Sequence, residues 1–251
     1  MTAPSRSGPQ TRSGPQVSDD AWDVFWDRVP DDQRLLKEDA AEYVRNLAAV
    51  VPLTPQSRVL DFGCGWGNVA RLLGPSVGEL YLWDDAPRMR RLAQQSSAGM
   101  ANIRMLDLRP GAEPWPGVGL DVILANSVAQ FMTADEFRGW LQRWRHMLAP
   151  TGSIVVSDLV PHDYPALADL LTLLRFSATR GFLGRALFDA ARVMPLYWRT
   201  RKARPLLRTS RAELMAWGSE AGLTVRDFPA NLTCFRHRIT AVFAHAHGPA
   251  D

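Results

Sequence analysis

One stretch, V-L-D-F-G-C-G-W-G from Val59 to Gly67, constrains what this chain can fold into more than any other. Val59 and Leu60 are short apolar strand material, and Asn68 to Leu73 that follows reads as the first turns of a helix. Between them stand Gly63, Gly65 and Gly67, with Asp61 two residues ahead of the first. A strand, a tight glycine turn and a helix open a nucleotide-type α/β fold. Glycine suits the turn because the main chain must bend sharply and approach a ligand at contact distance, where a Cβ would obstruct it. The dinucleotide fingerprint wants G-x-G-x-x-G. Here the glycines alternate, which argues against a nicotinamide dehydrogenase.

The downstream pattern repeats this alternation of strand and helix. Glu79–Trp83 reads as a second strand ending on Asp84, with Asp85 beside it, and an acid there can accept two hydrogen bonds from a ribose diol. A slip of one residue would exchange Asp84 and Asp85, so both stand as candidates. Asn102–Leu106 reads as a third strand running into Asp107 and Leu108. Leu120–Asn126 is a buried fourth strand, followed by Ser127-Val128-Ala129-Gln130-Phe131. A helix over Ala134–Leu148 leads to the turn Ala149-Pro150-Thr151-Gly152 and a fifth strand, Ser153–Ser157, ending at Asp158. Thr209-Ser210-Arg211-Ala212-Glu213 has the form of a capped helix start. Strands near Leu223–Phe228 and Arg238–Ala244 close the chain.

These motifs, in this order, resemble the class I S-adenosylmethionine-dependent methyltransferases, and the resemblance runs from about Val59 to about His245. It implies a Rossmann-like α/β fold: a mostly parallel seven-stranded sheet with an antiparallel last strand, helices on both faces, and a helical lid after strand 5. It implies S-adenosylmethionine as cofactor. Gly63, Cys64, Gly65 and Gly67 would cradle its methionine part, and Asp61 would orient the loop and help hold the amino group. Asp84 would take the ribose, Asp107 and Leu108 the adenine, and Asn126 would lie beneath the sulfonium. The N-S-V-x-Q form at Asn126–Gln130 is similar to that of small-molecule members. No N-P-P-aromatic sequence follows the fourth strand, which departs from enzymes that methylate adenine or glutamine amides. Pro-Thr-Gly stands where the family has Pro-Gly-Gly, so the turn is expected to differ, since Thr tolerates positive φ poorly.

At 251 residues the chain fits a single domain with a sizeable core. Residues 1–17, with R-S-G-P-Q occurring twice, read as a disordered tail; 18–52 as N-terminal helices; 160–208 as a lid inserted in the methyltransferase domain. Trp22, Phe25 and Trp26 recur at helical spacing and are read as packing the first helix on the core, although the resemblance also implies that helices before the glycine loop can cover the cofactor or the substrate entrance; a second helix is expected over Gln33–Val50. The absence of a signal core and the presence of only two cysteines, Cys64 and Cys234, suggest a cytoplasmic protein without a disulfide framework. No metal-ligand spacing is evident.

The sulfonium is already an activated methyl donor, so the site needs orientation and, for some acceptors, a proton acceptor. His162, just past the fifth strand, and Tyr164 are the candidate catalytic residues. His237 reads as structural, His146 lies in the helix away from the active face, and His245 and His247 read as tail residues. Cys64 reads as a small filler rather than a nucleophile. From Arg175 to Arg211 the chain carries a net charge of +9, against −6 for the rest. Such a basic, apolar-interleaved lid suits a solvated face, an anionic or carrier-tethered small molecule, or contact with a membrane surface. Nucleic acid fits less well, because no aromatic platform accompanies the charge. The expected activity is methyl transfer to a small molecule, a secondary metabolite or lipid precursor. Methylation of RNA or protein through the basic segment, and S-adenosylmethionine binding without turnover, are the alternatives.

Overall fold

The computed structural model describes residues 20–30, 33–109, 119–165 and 167–246. The expected tail at 1–17 and His247 lie outside them. In chain order the elements are α1 (Asp20–Arg28), α2 (Arg34–Leu47), β1 (Arg58–Phe62), α3 (Asn68–Leu73), β2 (Glu79–Trp83), α4 (Pro87–Ser96), β3 (Ile103–Met105), β4 (Leu120–Asn126), α5 (Ala134–Met147), β5 (Leu148–Pro161), α6 (Ala168–Thr179), α7 (Leu183–Ala203), β6 (Arg208–Thr209), α8 (Arg211–Glu220), β7 (Leu223–Phe228) and β8 (Ile239–His245).

The main sheet runs β3-β2-β1-β4-β5-β8-β7, with β8 antiparallel to both its neighbours and the other pairs parallel. The resemblance implied this seven-strand order of directions; the two-residue β6, paired in parallel with the end of β5, is an addition to it. Central parallel strands are covered on both faces, so they read as continuous apolar runs. The two faces still separate by the period of two. Leu60 and Phe62 enter one core with Trp83, Ile123, Phe137, Trp140 and Trp144. Val59 enters the other with Tyr43, Leu47, Leu80, Leu82 and Leu124. Phe62 stacks on Trp83 at 4.3 Å between ring centroids and meets Trp140 edge-on at 4.5 Å, which pins the end of β1 just before the glycine turn.

Several boundaries differ from expectation. Helix α2 stops three residues early, at Leu47. Strand β5 begins at Leu148, because the Pro-Thr-Gly segment is extended rather than turned and requires no positive φ. The same strand continues past Asp158 to Pro161, and its pairing with β8 shifts register between Val156 and Leu159. Asp158 sits in that bulge at φ 66°. His245 closes β8 instead of belonging to a tail. Thr133 with Glu136, and Ser210 with Glu213, form reciprocal capping boxes at α5 and α8, the second as its sequence suggested.

Strand order reverses between β1 and β4, and the crevice outside their carboxyl ends is where open α/β sheets take ligands. Two elements outside the sheet roof that crevice. Trp22, Phe25 and Val29 of the first helix and the turn after it form a third core with Trp66, Met89, Val160, Tyr164 and Leu206. Tyr197 of α7 packs against Trp22 and Phe25, with ring centroids 6.0 Å apart in each case.

Candidate active site

The turn after β1 is built from left-handed glycines: Gly63 at φ 74°, Gly65 at 52° and Gly67 at 74°. They differ in what surrounds them. A Cβ on Gly63 would stand 2.6 Å from Cγ2 of Val128, so that glycine allows the loop to lie against the segment after β4. A Cβ on Gly65 would meet nothing within 4 Å. Asp84 fixes the loop: its Oδ2 accepts from the Gly65 N–H at 2.9 Å and its Oδ1 from the Ala86 N–H at 3.0 Å. The Trp83 carbonyl accepts from Gly63 and Cys64.

A cavity opens over this loop. Asp61, Gly63, Cys64, Gly65, Trp66 and Asn68 line one side, Asp84, Asp85 and Ala86 a second, Asn126, Ser127, Val128 and Phe131 a third, and Trp22, Trp26, Leu36, Asp39 and Ala40 the roof. Of the residues singled out from sequence, Asp61, Gly63, Cys64, Gly65, Asp84, Asp85 and Asn126 are brought together here. Gly67 stands just behind, where a Cβ would strike Oγ of Ser96 at 2.5 Å. Asp107 and Leu108 follow β3 on the same edge of the sheet but do not line this cavity. Asp107 is engaged by Arg109, whose guanidinium holds its carboxyl at about 2, below the ordinary range. The Leu108 side chain is buried in the core, and its carbonyl accepts from Arg143 at 2.8 Å.

His162 and Tyr164 are also elsewhere. The bulge at Asp158 and the extra residues of β5 carry His162 to the surface, where its Nε2 lies 2.7 Å from Glu213 Oε2. Tyr164 is buried in the third core with its hydroxyl donating to Asp169. Burial and that carboxylate push the phenol upward, out of the range where it would release a proton at neutral pH. Cys64 is likewise held as a thiol by burial and by Asp84 and Asp61.

Two buried acceptor atoms in the cavity wall have no partner among the described residues: Oδ2 of Asp61 and Oδ1 of Asn126. Leaving such groups unpaired costs about 1–3 kcal/mol each, more for a charge. Burial, with Asp84 nearby, lifts the Asp61 carboxyl to about 7. A ligand with an ammonium group would supply the missing donors and return Asp61 to its charged form. The Nε1–H donors of Trp22, Trp66 and Trp83 are likewise buried without acceptors among the described residues. The donor set, the open face of Gly65 and the acids at the end of β2 fit an amino-acid-bearing nucleoside.

Sequence reading did not identify Asp39. It lies on α2 at 7% exposure, accepts from the Cys234 N–H at 2.7 Å, and is pushed up by burial and by the charge of Asp158. The signal was present: Leu36, Asp39, Ala40, Tyr43 and Leu47 share one helix face, and an acid among them faces the core. Behind Ser127 lies a buried network. Asp158 accepts from Ser127 Oγ at 2.6 Å, Asn231 Nδ2 at 2.5 Å and Thr233 Oγ1 at 2.6 Å, and pairs with Arg238 at 3.4 Å. Arg238 reaches Gln130 at 2.9 Å and Asp169 at 2.7 Å. Ser127 and Asp158 are the two non-glycine residues at positive φ among those described, and they bond each other. Strain held in this way is concentrated at functional sites.

Comparison with known proteins gives the family and the fold. Residues 60–154 match a family described as a methyltransferase domain. Trans-aconitate 2-methyltransferase of Streptomyces coelicolor is 31% identical over 212 residues, covering 77% of this chain and 62% of that protein. The enzyme of the same name from Methylobacterium nodulans is 30% identical over 201 residues, covering 74% and 69%. The chain thus spans a little under two thirds of the first relative's length. Among solved structures, magnesium protoporphyrin IX methyltransferase of Synechocystis with bound S-adenosylhomocysteine superposes with a TM-score of 0.55 at 16% identity, covering 89% of this chain and 94% of that one. A SAM-dependent methyltransferase of Leishmania major gives 0.57 at 18% identity, covering 88% and 80%. At these identities the two structures speak to the fold alone.

Proposed function

The chain belongs to the class I S-adenosylmethionine-dependent methyltransferases, and from that premise we propose that it methylates an uncharged, largely apolar small molecule. The observation that carries this reading is the wall of the cavity. Apart from the Cys64 thiol, its ionisable lining residues are the acids Asp39, Asp61, Asp84 and Asp85; Lys, Arg and His are absent from the described lining, and the apolar part of the roof is Trp22, Trp26, Leu36 and Ala40. The relatives' names specify trans-aconitate, a polycarboxylate, which would need cationic partners that this wall lacks. A secondary metabolite or lipid precursor suits it better.

When bound, the cofactor supplies an activated methyl group. Asp61 and Asn126, with their orphaned oxygens, would hold its ammonium end over the glycine loop. Asp84 braces the loop, and Asp84 and Asp85 together would take the ribose diol. Asp107 and the Leu108 backbone, at the next strand end, would serve the adenine edge. Trp22, Trp26 and Phe131 line the cavity, where they would exclude water and supply aromatic neighbours for a sulfonium. For an acceptor that loses a proton, Asp39, whose carboxyl burial and the charge of Asp158 lift to about 7, would accept that proton, Asp61 being taken up by the ammonium. Tyr164 would act at a distance, through Asp169, Arg238 and Asp158 to Ser127, and His162 by tying the end of β5 to α8. Methylation of RNA or protein is less well supported, because the basic segment is not one face: Arg180 turns inward to Glu38 and Glu42, and Arg204 to Glu136. Cys64 and Cys234 are free thiols, in keeping with a reducing cytoplasm.

Release of S-adenosylhomocysteine, followed by mass spectrometry over a panel of apolar phenols, amines and acids beside trans-aconitate, tests the reading. Turnover confined to apolar neutral acceptors is expected. Preferential turnover of the polycarboxylate would overturn it.

A further inference from the structure

The outward face of the α6–α7 hairpin belongs to no part of the site. Of the ten large apolar side chains most exposed to solvent among the described residues, seven lie on it: Leu167, Leu170, Leu171, Leu187, Phe188, Met194 and Trp198, at 37–66% exposure. Their spacing is helical. Leu167, Leu170 and Leu171 share one face of α6 and the residue before it. Leu187, Met194 and Trp198 fall on one stripe of α7, with Phe188 beside it, opposite the buried Ala186, Asp189 and Thr200. Interleaved with them are the exposed Arg175, Arg192, Arg199 and Lys202, which pair with no carboxylate among the described residues. The guanidinium of Arg192 lies over the Phe188 ring and that of Arg201 over Trp198, at 5.5 and 5.3 Å.

We infer that this hairpin docks on the surface of an anionic lipid bilayer. An amphipathic helix with Trp, Phe and Leu beside Arg and Lys lies in the headgroup region, its binding set by buried apolar area and by attraction to anionic lipid. Aliphatic Leu and Met on the same stripe do not suit stacking of nucleic-acid bases. A second copy meeting this one face to face would bring like charges together, whereas anionic headgroups neutralise them. No helix of the described residues is long and apolar enough to cross a membrane, so the contact is peripheral. The inner face of α7 packs through Tyr197 on Trp22, a cavity residue, so the docked surface backs directly onto the acceptor side of the site.

Flotation with vesicles of phosphatidylglycerol and phosphatidylcholine, against pure phosphatidylcholine, tests this without requiring turnover. Wild type is expected to bind the anionic vesicles at least about tenfold better and to release as salt rises. Phe188→Ser with Trp198→Ser, and Arg192→Glu with Arg199→Glu, should each reduce binding about tenfold or more, with S-adenosylhomocysteine affinity unchanged as the control for folding. Equal binding to both vesicle types, binding to neither, or retention by both variants would overturn the inference. So would sedimentation showing that the apolar variant converts a dimer to a monomer.

Discussion

Gly63 and Gly65 stand two residues apart in one loop, both left-handed, yet alanine should harm them in different ways. At Gly63 the new Cβ meets Val128 at 2.6 and 2.7 Å and must also adopt φ 74°. The left-handed conformation costs about 1–2 kcal/mol and overpacking about 1–3 more. Gly63→Ala should therefore lose about 2–5 kcal/mol, which for a domain of this size lowers Tm by roughly 4–20 °C. At Gly65 the Cβ meets nothing, so only the conformational cost of about 1–2 kcal/mol applies, and Tm should fall by roughly 2–8 °C. Yet Gly65 lines the cavity, and its Cβ would occupy space beside the cofactor's methionine part. Gly65→Ala should bind S-adenosylhomocysteine about tenfold or more weaker while staying folded. Thermal melts and calorimetric titration of both variants separate the two effects. Equal Tm losses, or a Gly65→Ala protein of undiminished affinity, would refute the assignment of one glycine to packing and the other to the ligand.

Asp61 keeps its proton in the fold up to about pH 7, whereas the unfolded chain releases it near the ordinary aspartate value. Its contribution to stability is therefore full below about pH 4 and is lost as pH rises through about 7. Asp61→Asn should accordingly gain Tm relative to wild type between pH 5 and pH 8 in the apo protein, and a constant difference across that range would count against a buried, unpaired acid. Asp158→Ala strands Arg238, whose side chain is 6% exposed, with Asp169 as its remaining carboxylate. Breaking a buried pair costs about 3–5 kcal/mol, so a Tm loss of roughly 6–20 °C is expected by calorimetry. Asp107→Ala removes a half-exposed acid already engaged by Arg109 and should weaken S-adenosylhomocysteine by only about fivefold in titration. A hundredfold loss would place the adenine edge deeper than β3 suggests.

Much of the fold is written locally. Glu79–Trp83 and Leu120–Asn126 coincide with strands because buried parallel segments are apolar runs bounded by turn residues, and Leu223–Phe228 coincides with the antiparallel edge strand β7, which begins just after the turn at Gly222 and alternates apolar with polar residues. The glycine loop was legible for a similar reason, since its chemistry is local and its spacing explicit. What could not be read was long-range. His162 stands one residue past a strand that, ended at Asp158, would have delivered it to the crevice; the bulge opposite β8 takes it away, and only the pairing of β5 with β8 and β6 shows that. For Trp22 and Trp26 the sequence left packing and covering roles both open, with packing preferred, because their place over the site depends on α7 meeting α1. The basic segment is divided likewise by partners far away in sequence, Glu38, Glu42 and Glu136, which claim Arg180 and Arg204, while Arg175, Arg192, Arg199 and Lys202 face outward.

Calorimetric titration of the wild type and of Asp84→Ala with S-adenosylmethionine, S-adenosylhomocysteine and NAD tests the central claim most directly. Asp84 braces the loop through Gly65 and lines the cavity, so both cofactor forms should bind the wild type in the micromolar range and the variant at least about tenfold more weakly, with NAD silent. Binding of NAD in their place, or no binding of either cofactor form by a folded wild type, would contradict it.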